Sequence, residues 1–202
     1  MLFCGISSYD GDEFNGEDFV GIELKDHTFQ NCKFNFSNFS EATLTNCTFS
    51  NCNFTNARMC DMVATKCEFT NCTFKDASLV GSTFASCKAT GSNFVDSRLL
   101  GFMIIGGNFS YTNFNGCNMK MMNLSNIVFS NAYMQYCNME KTKMHYSDLS
   151  GAVLNGSSFA EADIRGARID GVDFKNVNLK KCVVDMSQAL CIAECMGCLI
   201  QE

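Results

Sequence analysis

Residues 32–49 read CKFNFSNFSEATLTNCTF, and in this stretch every fifth residue is large and apolar: Phe34, Phe39, Leu44 and Phe49. The same register runs outward in both directions without a slip. It reaches Phe14 at one end, passes Phe109, Phe114, Leu149, Ile164, Phe174 and Leu179, and ends at Val184. Of these 35 consecutive positions only Ala64 and Ala89 are not large and apolar, and sixteen of the nineteen Phe lie on the series. A period of five matches neither the 3.6 of a helix nor the 2 of a strand.

Two further positions are selected within each five. Two residues before the large apolar centre the chain prefers small residues, as at Cys32, Ala42, Cys47, Cys52, Ala57, Ser82, Ser92 and Ala132. Two residues after it, Gly, Asn or Asp fills 23 of the 34 positions from 16 to 181. These residues tolerate the positive φ that a tight turn demands. The centre and the residue two before it point the same way, as in a strand, and the turn then changes the chain direction. Four such sides close a square coil, with small residues needed inside because the interior is narrow.

The expected fold class is therefore an all-β solenoid. The series makes about nine coils, or a rod of roughly 42 Å at ~4.8 Å per coil. Residues 1–11 read as a lead-in, 12–184 as the coil and 185–202 as a C-terminal helix and cap. Sorted by side, one column holds Phe14, Phe34, Phe54, Phe74, Phe94, Phe114 and Phe174 as a core stack, with Met134 and Leu154 between the last two. The adjoining column carries Phe29, Phe49, Phe69, Ala89, Phe109 and Phe129, and another is mostly aliphatic, from Leu24 to Val184. Phe is expected to stack on Phe up the first two.

Beyond Val184 the period stops. Asp185 and Gln188 have the spacing of a capping box, Gly197 is placed to end a helix, and residues 198–200 can add a last strand. Ala189, Leu190, Ile192, Ala193, Met196 and Leu199 give this segment an apolar surface. It reads as a cap over the open coil end, which any solenoid needs, or, being apolar over more than one face, as a homodimer contact, and the two readings are compatible.

The net charge of −6 resides in one place. Asp10, Asp12, Glu13, Glu17, Asp18, Glu23 and Asp26 face Lys25 alone, while the rest of the chain balances 14 acids with 14 bases. This cluster either solubilises the first coil or offers negative potential to a basic partner. The balance disfavours direct nucleic-acid binding, and no apolar run is long enough for a membrane helix. The N-terminus has no basic segment followed by an apolar one, so a cytoplasmic location is expected.

Catalytic chemistry is hard to place. Nine of the fourteen Cys occupy the small inward position. Cys47, Cys67 and Cys87 stack above His27, and Cys32, Cys52 and Cys72 stack on another side. A column of thiols with a histidine invites zinc, but zinc needs ligands that converge rather than line up. Cys reads instead as a small buried hydrophobe, and Cys191, Cys195 and Cys198 as helix packing. His145 follows a centre and should point outward. No catalytic, cofactor or metal residues are assigned, and an enzyme is not expected. The pattern breaks at Phe102 with Met103, where a bulky Phe takes a small position, with Met62 and Met122 around it on the same side. It reads as a local bulge or as an interaction site.

In the runs CKFNFSNFSEATLTNCTF and AEADIRGARIDGVDF (residues 160–174) the chain resembles the pentapeptide-repeat proteins. That resemblance implies a right-handed quadrilateral β-helix. The pattern of Ser187, Gln188, Ala189, Leu190, Met196, Gly197, Leu199 and Ile200 is similar to the terminal helix of the quinolone-resistance (Qnr-like) members, which joins two rods tail to tail. It implies a DNA-mimicking homodimer that binds DNA gyrase or topoisomerase IV and protects it from quinolones. The unbroken register is closer to relatives without loops, and the acids sit at one tip rather than along the rod. The alternative is a structural or adaptor module for another protein partner.

Overall fold

A computed structural model describes residues 7–201, so residues 1–6 of the expected lead-in and Glu202 lie outside the described residues. The chain winds as a quadrilateral β-helix in which residues twenty positions apart pair in parallel along the sides. On one side Ser8–Asp10 (β1) pairs with Thr28–Gln30 (β3), which continues through Thr48–Ser50 (β5) to Glu68–Thr70 (β7). On the adjoining side Glu23–Lys25 (β2), Thr43–Thr45 (β4) and Val63–Thr65 (β6) lead to Thr83–Lys88 (β8). β8 turns the corner between these sides and pairs with Met103–Asn108 (β9). The other two sides are joined by single bridges, beginning at Glu13↔Lys33 and Asp18↔Asn38, and single bridges continue the sides beyond β9 to Tyr133↔Val153, Ser158↔Asn178, Asp163↔Val183 and Asp148↔Arg168. The ladder reaches further toward the N-terminus than the repeat read from the sequence, with Tyr9 acting as a centre: its ring stacks on Phe29 at 5.0 Å.

The corners explain the turn preference. From 16 to 181, every position two after a centre has positive φ except Asn176, and the non-glycine ones lie between 53° and 63°. Asn and Asp reach this region most easily, yet Phe36, Tyr111, Met121, Tyr136 and Tyr146 occupy it as well. All five are exposed, so their bulk meets solvent rather than the core. Each pays the steric cost of a left-handed conformation, which the surrounding ladder imposes.

The inward small residues do more than leave room. The centre's carbonyl points into the coil, and an inward thiol one coil later donates to it. Cys52 Sγ reaches Phe29 O and Cys72 Sγ reaches Phe49 O, both at 3.4 Å, Cys117 Sγ reaches Phe94 O at 3.2 Å and Cys137 Sγ reaches Phe114 O at 3.0 Å. Ser82 donates in the same way to Met59 O and Ser92 to Phe69 O. Ser37, Thr142 and Ser147 instead bond the centre three residues before them. Cys is therefore not merely a substitute for Ala here: it supplies a weak donor to a buried acceptor.

Phe stacks on Phe through Phe34, Phe54, Phe74, Phe94 and Phe114, with neighbouring rings 4.7–5.1 Å apart and nearly parallel. Phe14 begins this column half-buried, and Phe174 is buried near its far end. The second aromatic column is interrupted at Ala89. There Phe84, from the adjoining side, lies over Phe69 at 4.8 Å and takes the place that Ala89 leaves open.

The C-terminal helix, Met186–Cys195 (α1), closes the coil. Asp185 Oδ1 accepts from Gln188 N–H at 3.0 Å and Gln188 Oε1 accepts from Asp185 N–H at 3.0 Å, completing the capping box. The buried Gln188 amide also donates to Ile164 O at 2.6 Å and Ala167 O at 2.8 Å, which ties the helix to the last coil. Gly197, with φ of 89°, ends the helix. Residues 198–200 form no strand, because Cys198 N–H is drawn back to Ala193 O at 2.9 Å. No helix among the described residues is long and apolar enough to cross a membrane.

Candidate interaction surfaces

The seven clustered acids are all exposed. They lie within residues 10–26, less than one turn of the coil, and so fall on all four sides. The result is a ring around the N-terminal tip rather than a line along the rod. Part of the ring is held in place: Glu13 pairs with Lys33 at 2.7 Å, while Asp10 and Asp26 accept from Asn31 at 2.8 Å and Asn46 at 2.6 Å.

At the opposite end, α1 divides the six residues expected at a dimer contact. Ile192 turns toward the coil and packs against the core, with Cys195 beside it, and Ala189 and Ala193 are half-buried. Leu190, Met196 and Leu199 are exposed, as are Met186 and Ile200, which were not among the expected six. The cap thus covers the coil with one face and leaves a second apolar face open.

The cysteine columns contain no site for a metal. Among the described residues no group of His, Cys, Asp or Glu converges on one point. Burial pushes the Cys117 and Cys137 thiols up to about 12 and the Cys32 thiol up to about 11, which keeps these groups protonated and suits them as donors. His27 Nδ1 lies 2.7 Å from Lys25 O. His145 reaches Asp163 at 3.0 Å, and Arg165 reaches the same carboxylate at 2.7 Å. Hydrogen bonds from Arg165, and then His145, hold the Asp163 carboxyl well below the usual range.

The irregularity at Phe102 opens the coil. Phe102 stays inside, 2% exposed, with its ring edge-on to Phe84 at 5.2 Å. Ser82 lies between it and Met62, so Met62 is not its direct neighbour; Met122, one coil on, is. Two bulky side chains one ladder step apart exceed a slot sized for Ala, Ser or Cys, and Met122 is left half-buried. The next coil is lifted. The bridges that would join Arg98 to Asn118 and Met103 to Asn123 are missing, although Asn93↔Asn113 and Asn108↔Val128 persist on the other two sides. The N–H groups of Leu99, Gly101 and Ile104 have no carbonyl across the gap, and those of Asn118 and Asn123 have none below. The notch holds two pockets of about 470 and 440 Å³ that share Gly101, Lys120 and Met122. Around it Leu100, Met103, Ile105 and Met121 are 79%, 51%, 58% and 70% exposed.

Comparison with solved structures shows the same fold. A trypsin-treated variant of QnrB1, described as a plasmid-mediated fluoroquinolone resistance protein, matches with a TM-score of 0.85 at 21% identity over 96% of this chain and 97% of its own. Full-length QnrB1 matches with a TM-score of 0.81 at 20% identity over 95% and 97%. No curated protein sequence matches the chain. The description "Pentapeptide repeat region" matches residues 7–79, and "Pentapeptide repeats (8 copies)" matches 67–100, 108–145 and 143–180. Those segments are the ones in which the five-residue register builds the ladder and its corners, and the chain belongs to the pentapeptide-repeat family.

Proposed function

We propose that this protein protects a type II topoisomerase, DNA gyrase or topoisomerase IV, from quinolones by binding it as a cytoplasmic, DNA-mimicking homodimer. The observation that carries this reading is the end-to-end likeness to QnrB1, a fluoroquinolone resistance protein, over 96% of this chain. The cap supports the dimer, since Leu190, Met196 and Leu199 are each exposed in this C-terminal segment. No catalytic step is needed: the fold supplies a protein-binding surface. The experiment is a gyrase supercoiling assay with a fluoroquinolone, with and without the purified protein. Restored supercoiling is expected; absence of both rescue and gyrase binding by the folded protein overturns the reading.

A second reading has its own observation. The acids form a ring at one tip, whereas a mimic of duplex DNA calls for negative charge along its length. An adaptor that binds another protein fits this distribution. Changing Asp12 and Asp18 to Asn, and Glu13 and Glu17 to Gln, tests whether the tip charge carries gyrase binding. Undiminished gyrase affinity in that variant rules out the tip charge as the basis of binding.

A further inference from the structure

The notch beside Phe102 combines three features that are independent of the topoisomerase reading. First, it exposes two broken strand edges. Backbone N–H groups of Leu99, Gly101 and Ile104 face it from one coil, and those of Asn118 and Asn123 from the next. Such edges are templates for an added strand. Second, its rim is apolar: Leu100, Met103, Ile105 and Met121 point outward, and Met122 lies half-buried within. Third, its surroundings are basic. On the two broken sides, residues 77–86, 97–106, 117–126 and 137–146 contain Arg98, Lys120, Lys141 and Lys143 against Glu140; Lys120 holds Glu140 at 2.8 Å, Lys141 pairs with Glu161 of the next coil at 3.7 Å, and Asp96 lies at the corner before Arg98, which leaves Arg98 and Lys143 outside these ion pairs.

We propose that the notch is a docking site for an extended, acidic segment of a partner protein, which pairs its backbone with the broken edges and sets an apolar side chain against Phe102 and Met122. Backbone pairing provides attachment without regard to sequence. The alternation of apolar and acidic residues in the guest provides selectivity, because its inward face meets Phe102 and Met122 and its outward face meets Arg98 and Lys120. The wedge of Phe102 under Met122 keeps the site open at a cost in ladder bonds, as is common at functional sites.

The probe is a fluorescein-labelled peptide of about ten residues, strand length, alternating leucine with aspartate. A control peptide carries lysine in place of aspartate. The aspartate peptide is expected to bind the full chain, to protect the amides of Leu99, Gly101, Ile104, Asn118 and Asn123 from hydrogen exchange, and to bind at least about tenfold more tightly than the control. Arg98→Glu with Lys120→Gln, both at exposed positions, is expected to abolish that preference. Phe102→Ala with Met122→Ala is expected to close the ladder, so that the same amides become protected without peptide and binding falls. Equal binding of the two peptides, protection elsewhere, no binding, or indifference to the Arg98 and Lys120 changes would overturn the proposal. Self-association lost in that charge variant would assign the notch to a second copy and overturn it too.

Discussion

Phe84 lies face to face with Phe69 at 4.8 Å although the two rings start from different sides of the coil. The arrangement works because Ala89, directly above Phe69 in its own column, is too small to cover it. Phe84→Ala should therefore cost about 3–5 kcal/mol, as for other buried aromatics. Ala89→Leu alone should destabilise by about 1–3 kcal/mol through overpacking, and the double variant should cost less than the two together. Urea unfolding of the four proteins checks this.

Gln188 joins helix and coil through one buried side chain. Gln188→Ala removes the reciprocal cap and leaves Ile164 O and Ala167 O without their donor. We expect a loss on the order of 2–3 kcal/mol, with fraying of α1 visible as faster amide exchange over residues 186–195 and little change in the coil.

The Asp185 carboxyl should make the cap sensitive to acid. Bonds from Ser187 Oγ and from the N–H groups of Gln188 and Gly166 lower it to about 2. A carboxylate depressed in the folded state contributes stability above its ordinary value of about 3.9 and loses it as pH falls through the folded value. The cap should thus be fully held at neutral pH and loosen between about pH 4 and pH 2. Amide shifts of Gln188 and Gly166 should titrate together in that window, and in Asp185→Asn they should not.

Corner residues offer a stabilising change. Lys66 holds φ of 54° between Asn46 below it and Ser86 above it. Asn tolerates that conformation better than Lys, so Lys66→Asn should raise stability, by up to about 1 kcal/mol. A lowered or unchanged midpoint in urea would mean that the corner is not strained.

The coil, its corners and the capping box were readable because each rests on a residue type whose geometry is local: Phe or Leu inward, Asn or Gly at positive φ, Asp185 and Gln188 three apart. The tip ring was readable as well, since acids confined to residues 10–26 cannot spread along a rod wound at twenty residues per turn. Three other features depend on neighbours that the linear pattern does not rank. Phe84 leaves its own column for that of Ala89, which a sort by side cannot foresee. The thiol donors need the carbonyl direction, which only the turn geometry provides. The broken ladder depends on whether the interior can hold Phe102 beneath Met122. Their spacing was visible, but the room available was not.

The notch also has a mechanical meaning. A stacked coil resists bending because every layer is fastened to the next on four sides. Between the layers of Phe102 and Met122 only two fastenings remain, Asn93↔Asn113 and Asn108↔Val128, and they adjoin each other. That layer is a compliant joint with a fixed pivot line. Load applied across the rod should open or shut the gap about that line, in one plane.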